Sequence, residues 1–162
     1  MQYKAAVITV SNSCALGERS DITGNHMVGM LTVAGYKVVK RITIPDDEET
    51  IYNELIKACD EENISLIITT GGTGLTPTDV TPEATRRVIE KEIPGFNEAV
   101  RIGCLKTTER SILSRGISGM RKKSLIINLP SKLITVEEGL DIILPSIRGA
   151  LDTLTKDYSQ KK

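Results

Sequence analysis

A three-layer α/β sandwich, with a mainly parallel sheet, one antiparallel hairpin strand and helices on both faces, is the fold class this sequence predicts. Three observations carry that expectation. Short apolar, β-rich runs alternate along the chain with stretches of helical periodicity, the pattern of strands joined by helical crossovers. Aromatic residues make up only 3% of the chain, with no Trp and one Phe, so the core is built from Ile, Leu, Val and Ala. That composition suits a sheet covered on both faces. The length of 162 residues fits one domain, expected over residues 1–158, with 159–162 as a frayed tail.

The elements follow in order. Tyr3 to Val10 reads as a buried strand, closed by Ser11-Asn12-Ser13 and a polar loop through Gly17 to Asp21. A helix follows, with Met27, Met30, Leu31 and Ala34 on one face and Gly35 as its stop. Tyr36 to Ile44 is a second strand, broken by Pro45-Asp46-Asp47. The next helix runs to about Asp60 on an Ile51, Leu55 and Ala58 face. Ile64 to Thr70 reads as a central strand. Thr81-Pro82-Glu83 has the residue types of a helix entry, with Thr81 as N-cap, and that helix ends before Pro94. Another helix runs from Gly95 to about Leu105. Gly116 to Met120 and Ser124 to Leu129 form a hairpin across Arg121-Lys122-Lys123. Thr135-x-x-Glu138 has capping-box spacing, and Pro145 is expected to split the helical pattern behind it.

Composition excludes several functions. Lys+Arg and Asp+Glu are both 21, and aromatics are scarce, so neither the basic excess nor the stacking platform of a nucleic-acid binder is present. Cys14, Cys59 and Cys104 are widely spaced, which fits neither a disulfide framework nor a zinc site. No apolar run approaches a membrane span, and Ala5 to Val10 is too short for a secretory leader. The expectation is a cytoplasmic protein with no nucleic-acid or membrane partner.

In open α/β sheets, ligands bind outside the carboxyl ends of the strands. Ser11-Asn12-Ser13, Pro45-Asp46-Asp47, Gly71 to Asp79 and Asn128 to Ser131 all fall there. In Thr69-Thr70-Gly71-Gly72-Thr73-Gly74, three glycines let backbone amides approach phosphate oxygens, and threonine hydroxyls add donors. The run is neither a Walker loop nor a dinucleotide fingerprint, and as an isolated pattern it fits a tight turn equally well. Asp79 suits a Mg²⁺ ion shared with phosphates, or a turn aspartate bonding its own backbone. Asp46 suits a second acid facing the same phosphates, or a helix N-terminus with Glu49 at N3. His26 is the one histidine and has no partner for a triad. Ser114-Arg115 and Arg121-Lys122-Lys123 are basic segments that suit an anionic substrate or a solvated turn.

Taken together, the glycine run and Asp79-Val80-Thr81-Pro82-Glu83-Ala84-Thr85 resemble the signature of the MogA/MoaB family of molybdenum-cofactor biosynthesis proteins, which includes the gephyrin G domain. Ile44-Pro45-Asp46, Pro94-Gly95-Phe96, Ile112 to Arg115 and Leu125 to Pro130 follow in the family's order, and two of these segments resemble the MogA branch more than the MoaB branch. The resemblance implies a homotrimer with molybdopterin adenylyltransferase activity: AMP moves from Mg-ATP to the terminal phosphate of molybdopterin, and pyrophosphate is released. It implies hand-off of the product to a molybdate-inserting protein. The family's essential acids match Asp46 and Asp79, the candidate catalytic residues and Mg²⁺ ligands. Thr70, Gly71, Gly72, Thr73 and Gly74, with Ser11, Ser114, Asn128 and Pro130, match the substrate side. A MoaB-like pterin-binding or scaffold protein without catalysis is the alternative. The chain departs from the pattern twice: Asn12-Ser13 stands where Asp-Arg is usual, and Ser131 where Gly follows the Asn-Leu-Pro turn.

Overall fold

The computed structural model describes residues 1–159; residues 160–162 of the expected frayed tail lie outside the described residues. Six strands, β1 (Lys4–Val10), β2 (Lys37–Ile44), β3 (Leu66–Thr70), β4 (Lys91–Glu92), β5 (Ser118–Arg121) and β6 (Ser124–Leu129), form one sheet in the order β2-β1-β3-β6-β5-β4. β2, β1, β3 and β6 are mutually parallel, while β5 pairs antiparallel with both β6 and β4. β5 is therefore the one strand that runs against the other five.

The apolar runs make both faces of this sheet. Every residue of β3 and β6 is buried. Alternate side chains feed two cores. Ala5, Val7, Leu66, Ile68, Leu125 and Ile127 pack beneath three helices: α2 (Ile22–Val33), α5 (Gly95–Gly103) and α6 (Leu133–Thr155). Ala6, Ile8, Ile67 and Ile126 pack on the other face beneath α3 (Glu48–Ile56) and α4 (Thr81–Val88). The Arg87 guanidinium pins α3 to α4, donating to Glu48 at 3.0 Å and Glu49 at 2.6 Å while stacking 4.2 Å from the Tyr52 ring centroid.

Four local expectations need correction. Thr81 does not cap α4: its hydroxyl is buried and donates to the Gly71 carbonyl at 3.0 Å, and Val80 takes the cap position without a side-chain bond. Thr135 lies inside α6, where its hydroxyl donates back to the Lys132 carbonyl at 2.9 Å. Glu138 accepts from Thr107 at 2.5 Å, so the capping box does not form. Pro145 sits within one continuous helix rather than between two. The loop after β1 contains a four-residue helix, α1 (Asn12–Ala15), capped by the Ser11 hydroxyl.

Parallel register brings the carboxyl ends of β1, β2, β3 and β6 to one rim. Thr9 of β1 stands opposite Thr70 of β3. The chain passes from β1 outward to β2 and then back across to β3, so the reversal of strand order falls between β1 and β3. Such a switch point leaves a crevice between the diverging loops.

Candidate functional site at the strand ends

That crevice is a cleft of about 630 Å³, lined in part by Ser11, Asp46, Thr70, Gly71, Gly72 and Asp79. The two candidate acids thus face one space, from two different strand-to-helix junctions. Asp46 is free to do so because its neighbour caps the helix. Asp47, not Asp46, accepts from the Thr50 amide at 2.8 Å and hydroxyl at 2.6 Å, and these bonds hold its carboxyl below the usual range. Asp46 is left half-buried and joined reciprocally to Asn12. The Asn12 amide donates to the Asp46 carboxylate at 3.2 Å, and the Asp46 amide donates to Asn12 Oδ1 at 2.9 Å. Burial pushes the Asp46 carboxyl up, the Asn12 amide opposes this, and the Asp79 charge adds to the rise.

Asp79 closes a tight loop. Its Oδ2 accepts from the Thr76 amide at 2.9 Å and the Thr76 hydroxyl at 2.6 Å. Burial pushes this carboxyl up as well, but bonds from Thr76 and the Gly74 amide, with the Arg115 charge, outweigh it and hold the group below its ordinary value. The turn reading of Asp79 is realised, and the residue also lines the cleft.

The glycine loop is fixed through its carbonyls. Gly71 O accepts from the Thr81 hydroxyl, Gly72 O from the Thr81 amide at 3.0 Å, Thr73 O from the Arg115 amide at 2.9 Å, and Gly74 O from Arg115 Nε at 2.7 Å. The Gly71 amide is committed to Leu129 O at 3.2 Å, which corrects its assignment as a phosphate donor. The amides of Gly72 and Thr73 have no acceptor among the described residues. The cradle therefore narrows to two amides. Gly72 has φ +67°, and a Cβ there would collide with the Thr81 hydroxyl and stand 3.3 Å from Asp46 Oδ1. Only glycine fits that backbone and that space.

A second cleft of about 420 Å³ lies against the same loop and is lined in part by Thr73, Gly74, Arg110, Ser114 and Pro130. Gly72, Asp79, Ser131 and Lys132 line both clefts. Candidate substrate residues Ser11, Thr70, Gly72, Thr73, Gly74, Ser114 and Pro130 all border one or both spaces.

Asn128 does not. It is fully buried in β6, its amide donating to Thr69 and Thr85 at 3.0 Å each and its Oδ1 accepting from the Ile117 amide at 3.2 Å. It is a strut between β6, β3 and α4, because a buried amide needs every partner it can reach. Thr70 borders the cleft, but its hydroxyl donates to Pro130 O at 2.6 Å. Arg115 is likewise committed: it grips Gly74 O, Asp79 O and the Glu83 carboxylate. Arg121 is held by Asp60, and His26 lies 3.5 Å from Glu137, away from the acids. The positive-φ residues other than glycine are Asn63 and Lys122 among the described residues, so Ser131 meets no conformational penalty where Gly is usual.

Sequence reading missed Arg19 and Lys132 in the larger cleft and Arg110 and Lys132 in the smaller. Lys132 follows directly on the Asn-Leu-Pro-Ser turn, and that adjacency was the available signal.

An α/β domain with two acids and two open amides at a sheet switch point belongs to the class that binds anionic, phosphate-bearing ligands. Comparison with known proteins gives the family. Residues 6–149 match the model described as a probable molybdopterin binding domain, and the chain belongs to that family. A molybdopterin adenylyltransferase of Helicobacter pylori strain J99 is 37% identical over 161 residues, spanning 95% of this chain and 89% of its own length. The protein of the same name from strain 26695 is 44% identical over 156 residues, with the same two coverages of 95% and 89%. Among solved structures, the molybdopterin biosynthesis enzyme MoaB of Thermus thermophilus superposes with a TM-score of 0.90 at 37% identity, covering 95% of this chain and 97% of that one. A MogA structure gives a TM-score of 0.90 at 34% identity, with coverages of 94% and 99%.

Proposed function

We propose that this protein is a molybdopterin adenylyltransferase. It would transfer AMP from Mg-ATP to the terminal phosphate of molybdopterin and release pyrophosphate, within molybdenum-cofactor biosynthesis. The observation that carries the reading is the meeting of Asp46, Asp79 and the unpartnered Gly72 amide in one cleft, with a second cleft against the same loop at the unpartnered Thr73 amide. Two adjoining spaces suit two substrates whose phosphates must meet.

The chemistry asks little proton transfer of the protein. An oxygen of the pterin phosphate is already anionic, so it attacks the α-phosphorus of ATP without a general base. The bond from that phosphorus to the β-bridging oxygen breaks, and pyrophosphate leaves with the electron pair. The remaining demand is to position two polyanions and to stabilise the leaving charge. The Gly72 and Thr73 amides donate to phosphate oxygens, and the carbonyl anchors of the loop hold them in place beforehand. No group of three or more His, Cys, Asp or Glu side chains placed to hold a metal occurs among the described residues. Two carboxylates fit Mg²⁺ in the manner usual for nucleotide sites, where phosphates and water complete the shell. Asp46 and Asp79 would hold it, and when bound it would neutralise the triphosphate.

No helix among the described residues is long and apolar enough to cross a membrane, in line with a cytoplasmic enzyme. A homotrimer fits the exposed apolar side chains of Ile102, Leu105, Ile112 and Leu113. Delivery of the product to a molybdate-inserting protein is carried by the family resemblance.

The test is incubation of purified protein with ATP, Mg²⁺ and molybdopterin, with sedimentation run alongside for mass. Adenylylated pterin and pyrophosphate in equal amounts are expected, from a particle of three chains. The likeness to MoaB keeps a second reading in view, and pterin binding without either product would establish that scaffold role instead.

A further inference from the structure

The residues lining both clefts are Gly72, Asp79, Ser131 and Lys132, and in a reaction that joins two phosphates the reacting groups meet at such a boundary. Of these four, one has no side chain, one is an anion and one is a neutral hydroxyl. Lys132 alone brings positive charge.

Arg19 borders only the larger cleft and Arg110 only the smaller, and the remaining cations near the loop are engaged. Arg115 grips Gly74, Asp79 and Glu83, Arg101 donates to Ser114 O and Gly116 O, and Arg41 donates to Asp21. No acceptor for the Lys132 ammonium is found among the described residues, and its side chain is exposed. Its backbone, in contrast, is anchored at the head of the 23-residue α6: the Lys132 carbonyl accepts from the Thr135 hydroxyl at 2.9 Å and the Val136 amide at 3.0 Å. An anchored backbone thus carries an exposed, unpaired cation at the boundary shared by the two clefts.

We infer that Lys132 is a substrate-contacting residue of the adenylyl transfer proposed above, its ammonium lying between the attacking pterin phosphate and the α-phosphate of ATP. The inference rests on that reading. When either substrate binds alone, the ammonium has one anion to face and much of its charge is screened by water. When both are in place, two anions are pressed together as the new P–O bond forms and the old one breaks. The cation then offsets a repulsion that exists only in the assembled complex. Interactions made chiefly at that stage raise turnover rather than affinity.

The experiment compares wild type, Lys132→Met and Lys132→Arg. Steady-state AMP transfer is measured for each, together with calorimetric affinity for an ATP analogue whose α and β phosphorus atoms are bridged by methylene, in Mg²⁺ without pterin. The Met variant is expected to lose kcat by about ten-fold or more while binding the analogue within about three-fold of wild type. The Arg variant is expected to recover most of the rate, and melting temperatures should agree because the side chain has no structural partner. A Met variant with wild-type kcat overturns the inference, as does a rate loss matched by an equal loss of analogue affinity, or one that Arg does not repair. Failure of the wild-type enzyme to make adenylylated pterin would overturn the proposed function itself, and the role of Lys132 with it. An active wild type beside an unimpaired variant would remove Lys132 alone.

Discussion

The two sides of the larger cleft are built on opposite plans. At the end of β2, Asp46 is held by one backbone amide and a reciprocal bond to Asn12, and burial together with the Asp79 charge pushes its carboxyl up. At the end of β3, Asp79 sits in a loop closed by Thr76, Gly74 and Arg115, and these bonds hold its carboxyl down in spite of burial. One acid is stabilised as an anion before anything binds. The other has its anionic form disfavoured by burial and by the charge of Asp79. The pair thus divides two tasks: a preset anchor for a cation, and a partner whose interaction with that cation strengthens on binding.

The preset anchor is the more sensitive of the two acids. Asp79→Asn should lower AMP transfer by at least roughly 10²-fold, measured with saturating substrates, if this carboxylate holds Mg²⁺ during transfer. A fully active variant would remove Asp79 from the mechanism.

Arg115→Met attacks the same side indirectly. It removes the clamp on Gly74 O, Asp79 O and Glu83, and should reduce unfolding stability by about 2 kcal/mol in denaturant titration. The Mg²⁺ concentration for half-maximal activity should rise, because Asp79 loses its fixed frame. Arg115→Lys should restore little, since one ammonium cannot serve three acceptors in a planar fork.

The opposite shifts of the two acids give a sharper, smaller test in the pH dependence of stability. Asp79 has a folded-state pKa below that of an ordinary aspartate, so its contribution is present above the ordinary value and fades as pH falls through the folded value. Asp46 is raised, so its contribution is present at low pH and lost as pH rises through its folded value. Asp79→Asn should therefore destabilise the fold at pH 7, and the penalty should shrink at an acid pH below the ordinary aspartate range. Asp46→Asn should be neutral or slightly stabilising at pH 7, and any gain should vanish on acidification. Chemical unfolding of both variants at the two pH values checks the signs.

The smallest effect is expected at Asn12→Asp. The new carboxylate still accepts from the Asp46 amide, but adds negative charge beside Asp46 and pushes that carboxyl further up. The acid limb of the pH–rate profile should move to higher pH, with neutral-pH turnover changed less than about three-fold.

Much of the architecture was legible because buried runs declare themselves. Leu66 to Thr70 and Ser124 to Leu129 are buried at every position, and no other reading accommodates them in a covered sheet. β4 was not legible: Lys91 and Glu92 are exposed and become a strand only through pairing with β5, a relation without local pattern. Thr81 and Thr135 have the residue types of caps, yet a hydroxyl chooses between local and tertiary acceptors, and tertiary carbonyl geometry decided Thr81. At the site, the convergence of Asp46, Asp79 and the glycine loop followed from strand-end topology. The division of labour within Pro45-Asp46-Asp47 did not, since either acid can cap a helix and only the path of the chain selects Asp47. Asn128 shows the reverse error: it matches a motif, but its place in β6 turns it inward.

Pro145 has a dynamic consequence. Its ring nitrogen cannot donate to the Asp141 carbonyl, so α6 carries a missing rung near its middle while Leu140, Ile143, Ile147 and Leu151 remain packed on the sheet. Backbone amides on either side of that rung should exchange with deuterated solvent sooner than those at the buried ends of the same helix. The two halves would then open as separate cooperative units, with the half that begins at Lys132 linked in its protection to occupancy of the clefts.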